Sequence, residues 1–495
     1  MTPPKRALFF LIVLAGMLNG CSPLIQTPYI RPELDLPDSW SQEAAEQKPA
    51  FAQRWWQQFG DDELNALVDM VLLRNNDLAA AALQLRRALL QAELADSSRL
   101  PGIAVHGSGQ LSRNFGSSST EIRSFSGSGT LSYELDLWNK LGSTADAARW
   151  QAVATEQDRQ STALSLIAAT ASLYWQIGYL NQRIALSGAS LDYARKTLDL
   201  VRVQKAAGVA TGLEILEAQR NLTAQEASHT QLIQQRVETR NTLAILLSSP
   251  PGALQLREPP DLLGVPLPDI DAGIPAQMLA RRPDLKAAET RLRATLAEAD
   301  ATRASYYPSI TLSGTYGGVS EQLSRLLSNP IATLGADLAL PFVQWQDMRR
   351  NIKISQVDYQ QAIIAFRQRL HTALAEVENA LSARKQYRLQ AEKLEATLES
   401  ALRAEALYRL RYQAGAATLQ TWLDAQENRR QAEINLAENR FNQLQNHIEL
   451  VKALGGDLSL EHNEVIPPKK HKGAFGQQEK NGLLLYSRPG GGQQA

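Results

Sequence analysis

At 495 residues and 44% hydrophobic, the chain is long enough for two or three ordinary domains with a sizeable core. Its 51 Lys and Arg are matched by 51 Asp and Glu. With no basic stripe interleaved with aromatics, nucleic acid is excluded as a partner. The single cysteine rules out a disulfide framework.

Lys5-Arg6 precede an apolar run from Ala7 to Leu18, which leads into Leu18-Asn19-Gly20-Cys21. A basic start, a short apolar core and a small residue before the cut describe a secretory signal over residues 1–20. The run is too short for a spanning helix. The tetrapeptide resembles the bacterial lipobox, whose cysteine is acylated and becomes the first mature residue. Cys21 is therefore the expected lipidation site, the alternative being a plain signal peptide with a spare thiol. Ser22, where Asp would favour inner-membrane retention, points to the outer membrane. No later window offers 18 apolar residues, so any span must be made of strands.

Residues 21–60 form an extended, Pro-rich start (Pro23, Pro28, Pro32, Pro37). A first repeat follows over 61–249. Leu64 to Arg99 is rich in Ala, Leu, Gln and Arg and predicts one helix ended by Pro101. From Ile103 to Trp138 the composition flips to period-two alternation. Phe125, Leu131, Tyr133 and Leu135 share one face, Ser126, Ser128, Thr130, Ser132, Glu134 and Asp136 the other, as in a hairpin broken near Gly116 to Thr120. From Ser143 to Ala207 there is no proline and glycine only at Gly178 and Gly188. That predicts a helix of about 65 residues, roughly 98 Å long. Leu164, Ile167, Ala171 and Tyr174, three and four apart, mark a coiled-coil seam. Gly208 fits a left-handed position after the helix, and Thr211-Gly212-Leu213-Glu214 is a capping box that starts an antiparallel partner.

After a Pro-rich connection (250–268), the same pattern returns over 269–456. Ala207, Gly208, Ala210, Thr211, Leu216, Ala218, Gln219 and Asn221 each find an identical residue 207 positions later. Asp77-Leu78 matches Asp284-Leu285, Pro101 matches Pro308, Gly107 matches Gly314 and Trp138 matches Trp345. The chain is a tandem duplication whose period is far too long for a solenoid. The second copy predicts strands around Ile310–Tyr316 and Ile331–Leu340, then a helix from Asp347 to Ala414 without Gly or Pro. It keeps Gly415 and Thr418 but has Thr421 where the capping box wants Glu, so its cap is expected to be weaker. The tail, 457–495, reads as disordered.

Four strands of spanning length cannot close a barrel, since the smallest single-chain barrels have about eight, and a lipid-exposed sheet edge is not tolerated. Closure between chains is required, and a trimer of four gives twelve strands. Trp138 and Trp345, where strand yields to helix in each copy, fit an aromatic belt at a membrane interface; two core tryptophans are the alternative. An enzyme finds no support. The six histidines are scattered, without a metal-ligand pair on one helical face, and neither a phosphate loop nor a nucleophile elbow is present. No cofactor or metal is expected. A periplasmic adaptor or a coiled-coil scaffold lipoprotein is the rival class, but an adaptor needs a β domain flanking its hairpin. Here the strands lie between helices, twice.

Trp55-Trp56, Phe59-Gly60-Asp61, the strand end Tyr133-Glu134-Leu135-Asp136-Leu137-Trp138, Pro308-Ser309-Ile310, and the two Ala-Gly turns leading to Glu217-Ala218-Gln219 and Asp424-Ala425-Gln426 together resemble the TolC-like outer-membrane factors, in particular the NodT-type efflux lipoproteins. The resemblance spans roughly residues 20–456. It implies a mainly α fold with a transmembrane β-barrel: a homotrimer with a 12-stranded barrel in the outer membrane and a long helical tunnel in the periplasm. It also implies a passive conduit in a tripartite efflux, or type I-like export, system with a periplasmic adaptor and an inner-membrane pump, often of the resistance-nodulation-division class. The turns at Gly208, Thr211, Gly415 and Thr418 would then be the adaptor-contact tips. By the same resemblance Arg411, Tyr412 and Asp424 occupy aperture positions, Gln420 stands where the family has an aperture Leu, and Glu217 is the first-copy counterpart of Asp424. Pro341-Phe342-Val343-Gln344-Trp345-Gln346-Asp347 departs from the Phe-Asp-Gly-Gly-like corner of relatives.

Overall fold

A computed structural model describes residues 26–41, 54–113, 115, 121–270, 272–273 and 275–456. The expected signal, Cys21, the 116–120 hairpin tip and the 457–495 tail lie outside these residues. Each copy runs short helix, hairpin, long helix, turn, partner helix. The first comprises α1 (Asp62–Arg74), α2 (Asn76–Ser97), β1 (Gly102–Arg113), β2 (Glu121–Leu135), α3 (Lys140–Ala206) and α4 (Gly212–Leu246). The second, after a single helical turn at Met278–Arg281, comprises α5 (Pro283–Ala304), β3 (Ser309–Ser320), β4 (Ile331–Ala339), α6 (Trp345–Gln413) and α7 (Leu419–Ala453). The long helices α3 and α6 have 67 and 69 residues, and each partner helix has 35.

The helix expected over Leu64–Arg99 is two helices. Asn75 adopts an extended conformation (ψ 129°) and separates them. Its Oδ1 accepts from Asp77 N at 2.9 Å and Leu78 N at 3.0 Å, while its Nδ2 donates to Leu246 O at 2.8 Å. One carboxamide thus caps α2 and closes the end of α4, splicing the two into one rod beside α3. Helix propensity does not report such a break, because the partner carbonyl is 171 residues away. The counterpart of Asn75 in the second copy is Arg282, whose Nη1 donates to Ala453 O at 2.9 Å and splices α7 to α5.

Helix α3 is the centre of the packing, with α2, α4, α5 and α7 around it. Its seam residues Leu164, Ile167, Ala171 and Tyr174 are all buried. This helix does contain an 18-residue window of mean hydropathy 1.2, apolar enough to cross a membrane by composition, but 67% of that window is buried inside the fold. At mid-height Trp55, Trp56 and Phe59 pack edge-on with Trp175 and His447. Asp61 caps α1 through Leu64 N (2.9 Å) and accepts from Tyr174 Oη (2.9 Å). Burial, assisted by Arg384, pushes the His447 imidazole down to about 3, so it is neutral here. The Pro-rich connection crosses α3 at Gly178, where an added Cβ would lie 2.9 Å from Pro259 Cγ.

The four strands form one antiparallel sheet in the order β1-β2-β3-β4. Register places Leu131 opposite Ile103 and Gly314, and Thr130 opposite Ala104 and Thr315. One face therefore carries Ile103, Val105, Leu131, Tyr316, Leu334 and Leu338, all strongly exposed. The other carries the Ser and Thr residues, with Ser108 Oγ and Ser126 Oγ 2.7 Å apart and Thr130 Oγ1 and Thr315 Oγ1 3.4 Å apart. Such alternation suits lipid outside and water inside. The outer edges of β1 and β4 pair with no strand among the described residues.

Candidate functional site

The end of the molecule remote from the sheet is made by the two helix turns. Gly208 (φ 76°) and Gly415 (φ 73°) occupy the left-handed region. At the first, Gly208 N donates to Lys205 O (3.0 Å) and Val209 N to Gln204 O (2.9 Å). At the second, Gly415 N donates to Tyr412 O (2.9 Å) and Ala416 N to Arg411 O (2.8 Å). These are paired Schellman closures. The next helix starts with a complete capping box in the first copy: Glu214 N donates to Thr211 Oγ1 (3.4 Å) and Thr211 N to Glu214 Oε2 (2.7 Å). In the second, Thr418 Oγ1 accepts from Thr421 N at 3.3 Å and lies 2.8 Å from Thr421 Oγ1. The return bond from a Glu is missing, so this cap is the weaker one.

Behind the turns a small core, Leu198, Val201, Ala218, Tyr412, Leu419, Trp422 and Leu423, ties α3 to the α6–α7 hairpin. Tyr412 stacks on Trp422 with centroids 5.2 Å apart, and its Oη donates to Gln204 Oε1 at 2.5 Å. Burial raises its phenol above the ordinary range, as does nearby Glu214. Buried Glu405 accepts from Trp422 Nε1 at 3.1 Å and from Tyr193 Oη. Burial and that bond push Tyr193 up to about 12, so it stays a donor. Sequence reasoning missed Glu405 and Trp422, although the duplication held a signal. Their first-copy counterparts are Leu198 and Ile215, apolar positions of the same seam.

Beside this core a groove of about 420 Å³ opens between α4 and α7 over α3. Glu217 and Asp424 line it together, as the duplication implied, and Gln420 Nε2 donates to Asp424 Oδ1 at 2.6 Å. Arg220, Glu427 and Arg430 line it too, with Arg430 Nε donating to Glu427 Oε2 at 2.7 Å. The level is thus charged with both signs rather than acidic alone. Arg411 is exposed and forms no ion pair with either carboxylate within the chain, and Tyr412 turns into the core instead of the groove.

At the other end of the helices, Trp138 Nε1 donates to Pro308 O at 2.7 Å and its ring lies 5.0 Å from Tyr307, so it fastens the first strand-to-helix corner to the helix-to-strand entry of the second copy, between α5 and β3. Trp345 is 54% exposed and begins α6. The two corners differ for a local reason. Asp136 accepts from Leu141 N (3.0 Å) and Gly142 N (2.8 Å) to cap α3, whereas its counterpart Val343 has no acceptor and the chain makes a 3-10 turn over Pro341–Val343 instead.

Comparison with known proteins converges on one family. The model of the outer membrane efflux protein family matches residues 67–249 and again 274–456, two stretches displaced by the same 207 positions. The chain is 32% identical over 468 residues to the pyoverdine export outer membrane protein OpmQ of Pseudomonas putida, covering 92% of this chain and 98% of that protein. It is 30% identical to the outer membrane protein OprJ of Pseudomonas aeruginosa, covering 90% and 95% respectively. The solved outer-membrane channel OprN superposes with a TM-score of 0.77 at 25% identity, over 86% of this chain and 99% of that one. A sheet between helices in both copies, four unclosed strands with one apolar face, and two helical hairpins ending in matched turns are therefore the protomer of a conduit rather than of an adaptor or scaffold, and the chain belongs to the outer membrane efflux protein family, the outer-membrane channel components of efflux pumps.

Proposed function

We propose that three copies of this chain close into one passive channel, with a 12-stranded barrel and a tunnel of twelve helix columns, each served by the two hairpins of a protomer. The observation that carries this reading is the internal two-fold repeat of the sheet. β2 pairs with β3 in a register that places Thr130 opposite Thr315. Shifting each partner by the 207-residue offset, forward for β2 and back for β3, gives β4 of one protomer beside β1 of the next, with Asp337 opposite Ser108. The free edges are the two that this pairing would satisfy. The corner contact of Trp138 with Pro308 likewise has an intersubunit counterpart in Trp345 with Pro101. In this arrangement both tryptophans would stand at the membrane interface, a belt position that suits their amphipathic rings. Ser108→Cys with Asp337→Cys should cross-link chains to dimers and trimers on a denaturing gel, while each single variant should not. Monomer alone from the oxidised double variant refutes the arrangement.

The N-terminal strap supports acylation of Cys21. Thr27 N and Oγ1 both donate to Asp300 at 2.7 Å, and Arg31 pairs with Glu289 at 2.5 Å. The strap thus runs along α5 from its sheet end inward. Thr27 lies six positions after Cys21, a reach of about 20 Å, enough to bring the cysteine to the inner leaflet. Cys21→Ala should abolish palmitate labelling; labelling that persists contradicts the assignment.

At the periplasmic end, the turns at Gly208 and Gly415, with Thr211 and Thr418, dock on a periplasmic adaptor serving an inner-membrane pump of the resistance-nodulation-division class. Glu217 and Asp424 narrow the aperture. Around a trimer they supply up to six carboxylates, tempered by Arg220 and Arg430, and such a ring favours cations. Asp424→Ala releases Gln420 and removes three of those charges, so single-channel conductance should rise and block by divalent cations weaken. Unchanged conductance and block in an inserted trimer would place the constriction elsewhere.

A further inference from the structure

The apolar face of the sheet has a feature that a simple lipid-facing wall does not need. Near the end remote from the helices its side chains give way to glycine: Gly107 and Gly109 on β1, Gly127 on β2 and Gly318 on β3. Gly107 lies opposite Gly127, which lies opposite Gly318, so three glycines cross three strands in one row. The β3–β4 turn folds back over this row. A Cβ at Gly127 would come within 2.9 Å of Leu326 Cδ2, and one at Gly318 within 2.2 Å of Leu326 O. Because Gly127 and Gly318 share the face of Val105, Leu131 and Tyr316, the turn lies on the outside of the sheet. It roofs an open groove of about 680 Å³ lined by Val105, Phe125, Tyr316, Leu323, Leu326 and Leu327.

The rim of this groove is cationic. Arg113 and Arg123 stand on the same outward face of the paired strands β1 and β2, where Arg113 opposes Glu121 and Leu111 opposes Arg123. Glu121 is taken by Arg123, with Nε donating to Oε1 at 2.7 Å. Arg113 sits over the Phe115 ring at 5.8 Å. Arg325 is on the roofing turn next to Leu326, and both it and Arg113 are exposed and without an ion-pair partner among the described residues. Glu321, also on that turn, is exposed. Arg123 lies two residues, about 7 Å, beyond Phe125 along the strand, and Gly129 about 20 Å beyond Arg123. Along a strand tilted by about 45° that length spans about 14 Å of depth, so a charged rim followed by this apolar channel matches one leaflet, half of a hydrocarbon core of roughly 30 Å.

We propose that this groove binds the outer-leaflet glycolipid of the membrane, a phosphorylated, multiply acylated sugar. One acyl chain lies along Gly107 and Gly109 beside Leu326, which itself fills the row at Gly127 and Gly318, and Arg113 and Arg325 meet its phosphates. The charge favours an anionic occupant, and every residue named comes from one protomer, with β1 its strand at the intersubunit seam. The proposal rests on the strands crossing the outer membrane. Guanidinium–phosphate contacts supply the selectivity, and the missing Cβ atoms supply the space.

The test is native mass spectrometry of the full-length protein in detergent, with lipid A, its monophosphoryl form and a zwitterionic diacyl phospholipid as probes. Gly107→Leu fills the row from a position where an added Cβ meets nothing within 4 Å, and Arg113→Ala with Arg325→Ala removes surface charge alone. We expect wild type to prefer lipid A over the diacyl lipid, and each variant to retain lipid A at least tenfold more weakly. The arginine variant should no longer distinguish lipid A from its monophosphoryl form. Undiminished retention in either inserted variant, or equal retention of lipid A and diacyl lipid by wild type, overturns the proposal. If Gly107→Leu fails to insert, the arginine variant decides alone. A wild-type protein that does not insert into bilayers would instead refute the membrane reading, a separate outcome.

Discussion

Arg282→Ala is expected to destabilise the protein by about 3–5 kcal/mol, the range for breaking a buried ion network by removing one partner. Arg282 is 5% exposed, and its guanidinium serves three groups: Asp284 (Nη2 to Oδ2, 2.8 Å), Glu376 (2.7 Å) and the carbonyl of Ala453 (2.9 Å). Burial alone would raise the Asp284 carboxyl, but Arg282, with Arg369 at 2.7 Å, holds it below the ordinary carboxylate range. Without Arg282 a largely buried carboxylate keeps Arg369 as its one cation beside the Leu285 N–H (2.9 Å), and the last turn of α7 loses its cap. The α7–α5 column is spliced at this joint, whereas α3 and α6 run unbroken from sheet to tip, so unfolding should begin there. The thermal midpoint of the solubilised protein should fall by roughly 5 °C or more. Arg282→Lys, which keeps charge but not the fork, should fall between. The Asp284 contribution is present above its unfolded pKa and lost as pH falls through the depressed one, so the gap between wild type and variant should narrow toward acid. A variant within 1 °C of wild type at neutral pH would show that the joint carries little of the stability.

Gly208→Val with Gly415→Val should abolish export while leaving insertion intact. An added Cβ meets nothing within 4 Å at either glycine, so the cost is backbone strain at φ 76° and 73° and not a clash. That strain is about 1–2 kcal/mol per turn, roughly a tenfold loss in the docking-competent turn at each tip. The tip core of Tyr412 and Trp422 lies behind the turns and stays packed. Efflux-dependent resistance and in vivo cross-linking to the adaptor should therefore collapse together. The Asn pair at the same sites, which tolerates the left-handed region, should retain both. Wild-type cross-linking in the valine pair would remove the tips from the docking surface.

Local chemistry determined much of this protein. The absence of glycine and proline wrote the long helices, and the alternation of Leu and Tyr with Ser and Thr wrote strands with one apolar and one polar face. The left-handed turns at Gly208 and Gly415 and the Thr211–Glu214 box follow from residues within four positions of each other, and the 207-residue offset disclosed the duplication outright. What spans the chain was decided only by the tertiary structure. The break at Asn75 exists because a carbonyl at Leu246 completes it, and Arg282 is a joint because Ala453, Glu376 and Arg369 converge on it. Tyr412 faces the core because Trp422 offers it a ring to stack on, and Glu405 is buried because Tyr193 and Trp422 both donate to it. Leu326 roofs a row of glycines that no period-two pattern marks as a groove. Periodicity records which face of an element is apolar. Only packing selects the partner that satisfies a particular buried polar atom, since that choice is a long-range competition for hydrogen bonds that leaves no regular spacing in the chain.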